Sequence, residues 1–103
     1  MDRDHAEDRE TAPAAPGSTI RPDPNVLAKR IDDEIVLVHL ETNRVYELNR
    51  TAASLWDAVA AGSTQVELEQ RLSLEFDVDR EELHREVDVL LGQLTSERLI
   101  WRE

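Results

Sequence analysis

The chain has 103 residues, which limits it to one domain, and it contains no cysteine, which excludes a disulfide framework, a thiolate metal site and a cysteine nucleophile. Its formal net charge is −11, and an acidic surface repels the phosphates whose attraction to Lys and Arg supplies most non-specific nucleic-acid affinity. Because no run approaches the roughly 20 apolar residues of a membrane span and the charged N-terminus lacks a signal-peptide core, we expect a cytoplasmic protein.

Residues 1–24 have the composition of a disordered arm. They contain all four prolines, many charges and only two large apolar residues, Met1 and Ile20. Such a segment cannot bury enough surface to offset the entropy lost on ordering. We therefore predict an acidic, proline-rich arm over 1–24, either a solvated tail or a tether that folds on a partner, and a folded domain over 25–103.

Three short strands are predicted next, because runs rich in β-branched residues alternate with turn signals. The strands are 26–31, 34–40 and 45–48, with turns at Asp32-Asp33 and at 41–44. In the second turn, Asn43 is suited to a positive φ. This spacing favours a three-stranded antiparallel meander.

The middle strand is apolar on both faces. Val36, Val38 and Leu40 oppose Ile35, Leu37 and His39. A sheet with one fully solvated face would alternate apolar and polar residues. We therefore expect the arm, a second subunit or a partner to cover part of the second face.

Three helices follow the strands. The first begins at Asn49 or Thr51 and ends at Gly62. The second is capped by Ser63 or Thr64, and Glu67 completes a capping box with Thr64. The third runs from a cap at Asp79 to about Glu97. Their apolar stripes comprise Ala52, Leu55, Trp56 and Val59, then Val66, Leu68, Leu72 and Phe76, then Leu83, Val87, Leu90, Leu91 and Leu94. Leu99-Ile100-Trp101 should fold back onto the body.

No catalytic or metal-binding pattern is present in the sequence. The glycines are isolated, the carboxylates lie at solvated helix positions, and His5, His39 and His84 share no ligand spacing. We therefore expect no enzymatic activity, no metal and no cofactor.

Several motifs resemble the PqqD-like family. Val45-Tyr46-Glu47-Leu48-Asn49 followed by Ala52 and Leu55-Trp56 is similar to the family's Y-x-L-N-x-x-A-x-x-[IL]-W signature. Gly62-Ser63-Thr64 resembles its G-x-T, and the run from Glu86 to Ile100 resembles its D-V-x-x-[FL]-L-x-x-L-x-x-x-G-L-[IV] ending. The resemblance covers residues 25–101 and implies an α+β fold, a three-stranded antiparallel sheet followed by three helices in a winged helix-turn-helix arrangement.

The chain departs from the family pattern at three places. Glu86 stands where Asp is usual, and Arg98 where Gly is usual. The turn at 41–44 lacks the longer proline-containing segment of members that serve pyrroloquinoline quinone synthesis. This favours the stand-alone recognition proteins of lasso-peptide clusters.

The resemblance implies a RiPP recognition element, a non-enzymatic module that binds the leader of a ribosomally made precursor peptide. It would present the leader to a leader peptidase or a radical S-adenosylmethionine enzyme. In a meander the third strand is an edge that can template another strand. The expected peptide-binding residues are Arg44, Val45, Tyr46, Glu47, Leu48, Glu86, Val89, Leu90 and Gln93. Glu47, Glu86 and Asp88 would favour a leader that carries Lys or Arg.

Two alternatives stay open at this point. A winged-helix DNA-binding regulator would need a basic recognition helix, but the second helix has Glu67, Glu69 and Glu75 against only Arg71. A structural subunit could instead form a homodimer through the apolar outer face of the sheet.

Overall fold

The computed structural model describes residues 18–103. In chain order its elements are β1 (Thr19–Pro22), β2 (Val26–Ile31), β3 (Glu34–His39), β4 (Val45–Leu48), α1 (Arg50–Ala60), β5 (Ser63–Thr64), α2 (Gln65–Glu75), α3 (Arg80–Ser96) and β6 (Ile100–Arg102). The predicted α+β class and the three helices are confirmed.

The three predicted strands form an antiparallel meander in the order β2-β3-β4. Both hairpin turns contain a residue in the left-handed region, Asp32 with φ of 58° and Asn43 with φ of 62°. Short polar side chains tolerate that conformation better than most, which is why these two residues end the strands. β4 therefore lies at one edge of this sheet and β2 at the other.

A second small sheet was not predicted. Its strand order is β5-β1-β6, and both pairings are antiparallel. The expectation that 99–101 folds back onto the body is confirmed for Leu99 and Ile100, which are buried, whereas the Trp101 side chain is 44% exposed. β6 also pairs with β1, a contact between residues far apart in sequence that no local pattern reveals.

The prediction of an arm over 1–24 is wrong for its last residues. β1 lies between β5 and β6, and the Ile20 side chain is 0% exposed in the core. Two-sided backbone pairing and one fully buried side chain order a segment whose composition alone favours disorder. Residues 1–17 lie outside the described residues, so for them the disordered arm stays a prediction.

Helix α1 is the central core element. It contacts β1, β3, β4, β5 and α2. The Asn49 side chain caps it by accepting from the Ala52 N–H at 3.0 Å, and Gly62 follows its end with φ of +78°. Its buried residues are Ala52, Ala53, Leu55, Trp56, Ala58 and Val59. All four residues of the predicted stripe are among them.

The other two helices begin at the predicted caps. Thr64 and Glu67 form the capping box of α2, and Asp79 caps α3. Val66 is a correction, because it is 52% exposed and not part of the buried stripe. It precedes Leu68 by two residues, a rotation of about 200°, which places it on the opposite side of the helix.

The outer face of the meander presents apolar side chains. Leu27, Val38 and Val45 pair across the three strands, and Leu27 and Val45 are 57% and 62% exposed. No part of residues 18–103 covers this row. The expected covering element therefore stays a prediction.

Ile20→Ala tests the corrected boundary. Removing a fully buried isoleucine side chain should lower the free energy of unfolding by about 2–5 kcal/mol. Leu74→Ala is the control, because Leu74 is 91% exposed and its loss should change stability by about 0.5 kcal/mol or less. Urea unfolding of both variants would show the difference, and an Ile20→Ala protein as stable as the control would mean that β1 is not part of the core.

Candidate functional site

The free edge of β4 carries backbone groups available for another strand. The His39 N–H bonds the Arg44 carbonyl, and β3 and β4 stay in register from Val38↔Val45 to Ile35↔Leu48. Because hydrogen-bonded pairs alternate along an antiparallel ladder, Tyr46 and Leu48 bond to β3. The N–H and C=O groups of Val45 and Glu47 therefore point away from β3, to the open edge.

A cleft of about 620 Å³ lies along this edge, between β4 and the C-terminal half of α3. It is lined by Val45, Tyr46, Glu47, Leu48, Asn49, Ala52, Leu55, Leu90, Gln93, Leu94, Ser96, Glu97 and Leu99. The buried side chains among these lining residues are all apolar, namely Leu48, Ala52, Leu55, Leu94 and Leu99. The floor can therefore receive apolar side chains from a ligand lying on the edge.

A second depression of about 490 Å³ continues the cleft toward the N-terminal half of α3. It shares Asn49, Leu90 and Gln93 with the first and adds Thr51, Arg85, Glu86 and Val89. Tyr46 lies near the C-terminus of α3, whereas Asn49 faces its middle. β4 and α3 thus run antiparallel along one groove.

The C-terminus of α3 closes with a Schellman motif. The Leu99 N–H bonds the Leu94 carbonyl at 2.9 Å, and the Arg98 N–H bonds the Thr95 carbonyl at 3.0 Å. This motif needs a left-handed residue after the cap, and Arg98 takes that role with φ of 60°. A non-glycine residue there costs about 1 kcal/mol or more. His39 Nε2 donates a hydrogen bond to the Arg98 carbonyl at 3.1 Å, which connects this end of α3 to β3.

A polar cluster spans the cleft at this end. Glu97, the C-cap of α3, accepts at Oε1 from the Tyr46 hydroxyl at 2.7 Å and from Arg44 Nη1 at 3.3 Å. The hydrogen bond to the Glu97 carboxylate raises the pKa of Tyr46, and partial desolvation and the charge of Glu97 raise it further. Among residues 18–103, none donates a hydrogen bond to Glu97 Oε2.

The predicted site residues fall around this groove in four positions. Tyr46 and Leu48 lie on the floor of the groove, and the backbone of Val45 and Glu47 forms its rim. Arg44 lies at its polar end, and the remaining residues form the wall that α3 provides. That wall comprises Glu86, Val89, Leu90 and Gln93. Asp88 does not line the groove, because its carboxylate accepts from Gln65 Nε2 at 3.0 Å on the side facing α2, and the preference expected of it stays a prediction.

Sequence reasoning missed Glu97 and the apolar floor beneath it. The sequence pattern predicts a buried position for each of four residues that also line the cleft, namely Ala52, Leu55, Leu94 and Leu99, and each is buried. The sequence pattern predicts Glu97 only as the approximate end of the third helix. The available signal was a carboxylate at a helix C-terminus, where the helix dipole favours a cation.

Among the described residues, no group of three or more His, Cys, Asp or Glu side chains is placed to hold a metal ion. Within the same range, no helix combines the length and apolarity needed to span a bilayer.

The fold and groove define a small winged-helix protein with an open sheet edge facing a helix. The model of the family of coenzyme PQQ synthesis protein D (PqqD) matches residues 34–100, and the chain belongs to this family. The sequence has no significant match among curated proteins.

Two solved structures share the fold. TbiB1 in complex with the TbiA(beta) leader peptide is 28% identical, with a TM-score of 0.75 over 78% of this chain and 93% of that chain. A lasso peptide synthetase B1 complexed with the leader peptide is 23% identical, with a TM-score of 0.72 over 80% of this chain and 96% of that chain. The second likeness bears on the fold alone. The resemblance drawn from the motifs is confirmed.

The Tyr46–Glu97 bond predicts a raised tyrosine titration. Tyr46 is the only tyrosine, so the ultraviolet absorbance of tyrosinate reports on it alone. The midpoint in the folded protein should lie above the ordinary value of 10.0, and Glu97→Gln should lower it toward that value. Because the folded-state pKa is raised, the bond stabilises the fold below the ordinary pKa, and this contribution is lost as the pH rises through the raised pKa.

Glu34→Gln is the control for this titration, because Glu34 pairs with Ile31 at the far end of the meander. It should leave the midpoint unchanged. A wild-type midpoint at or below the ordinary value would contradict the bond.

Proposed function

We propose that this protein recognises the leader segment of a ribosomally synthesised precursor peptide, of the lasso-peptide type, by strand addition to β4. The observation that carries the proposal is the open β4 edge lying along an apolar groove. Membership of the PqqD family supports it, as does the likeness to TbiB1, whose structure holds a leader peptide.

Main-chain bonding would supply much of the affinity. The N–H and C=O groups of Val45 and Glu47 are directed to the open edge and would pair with an extended peptide, which would become the fourth strand of the meander. Such pairing is independent of the peptide's side chains, so selectivity must come from elsewhere in the groove.

Side-chain pockets would supply that selectivity. In an added strand, alternate residues would face the floor of the cleft. Tyr46, Leu48 and Leu90 line the cleft there. We assign apolar anchors of the leader to this floor. Val89, which is 60% exposed, and Gln93 would contact the peptide from α3.

We infer that the protein is not itself an enzyme and acts in the cytoplasm, where precursor peptides are made. Among the described residues, His84 pairs with Glu69, and His39 is buried and bonds the Arg98 carbonyl. No serine or threonine hydroxyl that lines the groove bonds a histidine or a carboxylate. It would hold the leader while a partner enzyme, such as a leader peptidase, acts on the rest of the precursor. The exposed outer face of the meander is available for such a partner or for a second copy.

Val45→Pro tests strand addition at this edge. Proline removes an N–H that points to the leader, while the β3 ladder is kept because Val45 is the first residue of its strand and does not bond β3. Affinity for a synthetic peptide spanning the leader encoded with this chain should fall by about tenfold or more. Isothermal titration calorimetry would measure it.

Ala28→Pro is the matched control on the opposite edge. The Leu40 N–H bonds the Asn25 carbonyl, so alternation directs the Ala28 N–H to the free edge of β2. This variant should bind the leader as the wild type does. Equal weakening by both prolines, or by neither, would argue against β4 as the docking edge.

A further inference from the structure

We propose that Glu97 forms a subsite for a basic side chain, so that the leader carries a Lys or Arg at the position that lies beside Tyr46. This inference rests on the proposed function, because it names the chemistry that the same groove selects. The sequence predicts that Glu47, Glu86 and Asp88 favour a basic leader. The proposed subsite instead assigns this preference to Glu97, which lines the cleft.

The first support is electrostatic. Glu97 is the C-cap of α3, at the negative end of the helix dipole, and no basic residue occupies the last turn. A carboxylate at that point adds to the negative potential instead of offsetting it. The end of the cleft therefore attracts a cation.

The second support is the orientation of the carboxylate. The Tyr46 hydroxyl and Arg44 both contact Oε1, which fixes the side chain across the cleft. Oε2 receives no donor from residues 18–103, and the side chain is 39% exposed. One oxygen is thus anchored, and the other is free to accept from a ligand.

Arg44 only partly neutralises this site. Its side chain is 67% exposed, and its distance of 3.3 Å to Oε1 is long for a charge-assisted hydrogen bond. An exposed pair of this kind contributes little. Arg44 therefore leaves the Glu97 carboxylate available to a cation from the leader.

The other acidic side chains near the groove are less suited to this role. Glu47 shares the exposed outer face of β4 with Val45, and Glu86 lies beside Arg85 in the second depression. Asp88 bonds Gln65 on the opposite side of α3. Glu97 alone among these four combines a position in the cleft with an oriented carboxylate.

The geometry also fixes a spacing within the leader. Tyr46 and Leu48 are neighbours on the floor, about 7 Å apart along the strand. A leader residue facing Tyr46 and Glu97 is therefore two positions away from one facing Leu48 and Leu90. The leader should carry a basic residue and a large apolar residue in an i, i+2 pair.

A double-mutant cycle with the leader encoded with this chain tests the subsite. In fluorescein-labelled synthetic leaders, each Lys or Arg is replaced singly by Met, and each peptide is titrated by fluorescence anisotropy against wild type and Glu97→Gln. At one basic position with an apolar residue two positions away, Met should weaken wild-type binding about tenfold and leave Glu97→Gln binding unchanged. Glu97→Gln keeps an amide oxygen that can accept from Tyr46, so the fold should be retained.

Glu34→Gln is the matched control. Replacing the basic leader residue by Met should weaken its binding as much as it weakens wild-type binding. A wild-type measurement provides a second readout that needs no variant: added salt should weaken the unmodified leader more than the Met-substituted one. The subsite is overturned if Glu97→Gln loses affinity equally for every peptide, or if wild type and Glu97→Gln respond alike at each basic position. Wild type that binds no leader at all would instead refute the proposed function.

Discussion

The junction between β4 and α1 sets the geometry of the whole protein. A single residue, Asn49, ends the strand and caps the helix, with its side chain 3.0 Å from the Ala52 N–H. Since α1 is buried against both sheets, β4 can neither slide nor tilt without disturbing the core. One edge of β4 is bonded to β3, and the other is left open toward α3.

The groove follows from the way α3 is held at its end. The Schellman motif at Leu94–Leu99 and the bond from His39 to the Arg98 carbonyl tie the C-terminus of α3 to β3. Tyr46 reaches across to Glu97 at 2.7 Å, so strand and helix are joined at one end and separated along the rest. The family pattern has glycine at the position of Arg98. Here the left-handed conformation is kept by an arginine, whose side chain lies 3.6 Å from Glu41.

Much of the fold was predictable because it is local. Hairpin spacing, the turn residues Asp32 and Asn43, and the caps Asn49, Thr64 and Asp79 each act over a few residues, and all of them form as expected. The second sheet was not predictable in this way. It joins residue 20 to residue 102, and its strands are two to four residues long, too short for a periodic pattern.

The site was predictable in part for the same reason. The open edge follows from the order of three hairpinned strands, and the facing wall from the position of α3. The charge of the cleft could not be predicted from the sequence, because it depends on which side of α3 each acidic residue occupies and on where the helix ends. Asp88 and Glu97 have the same charge, but one faces α2 and the other faces β4.

Hydrogen exchange on the leader complex is the most direct measurement of strand addition to β4. The amide protons of Val45 and Glu47 point to the open edge and should exchange slowly only when the leader is bound. The amide protons of Ala28 and Arg30, which point to the free edge of β2, should exchange at the same rate with and without the leader. Unchanged exchange at Val45 and Glu47 in a saturated complex, or new protection at Ala28 and Arg30, would contradict docking at β4.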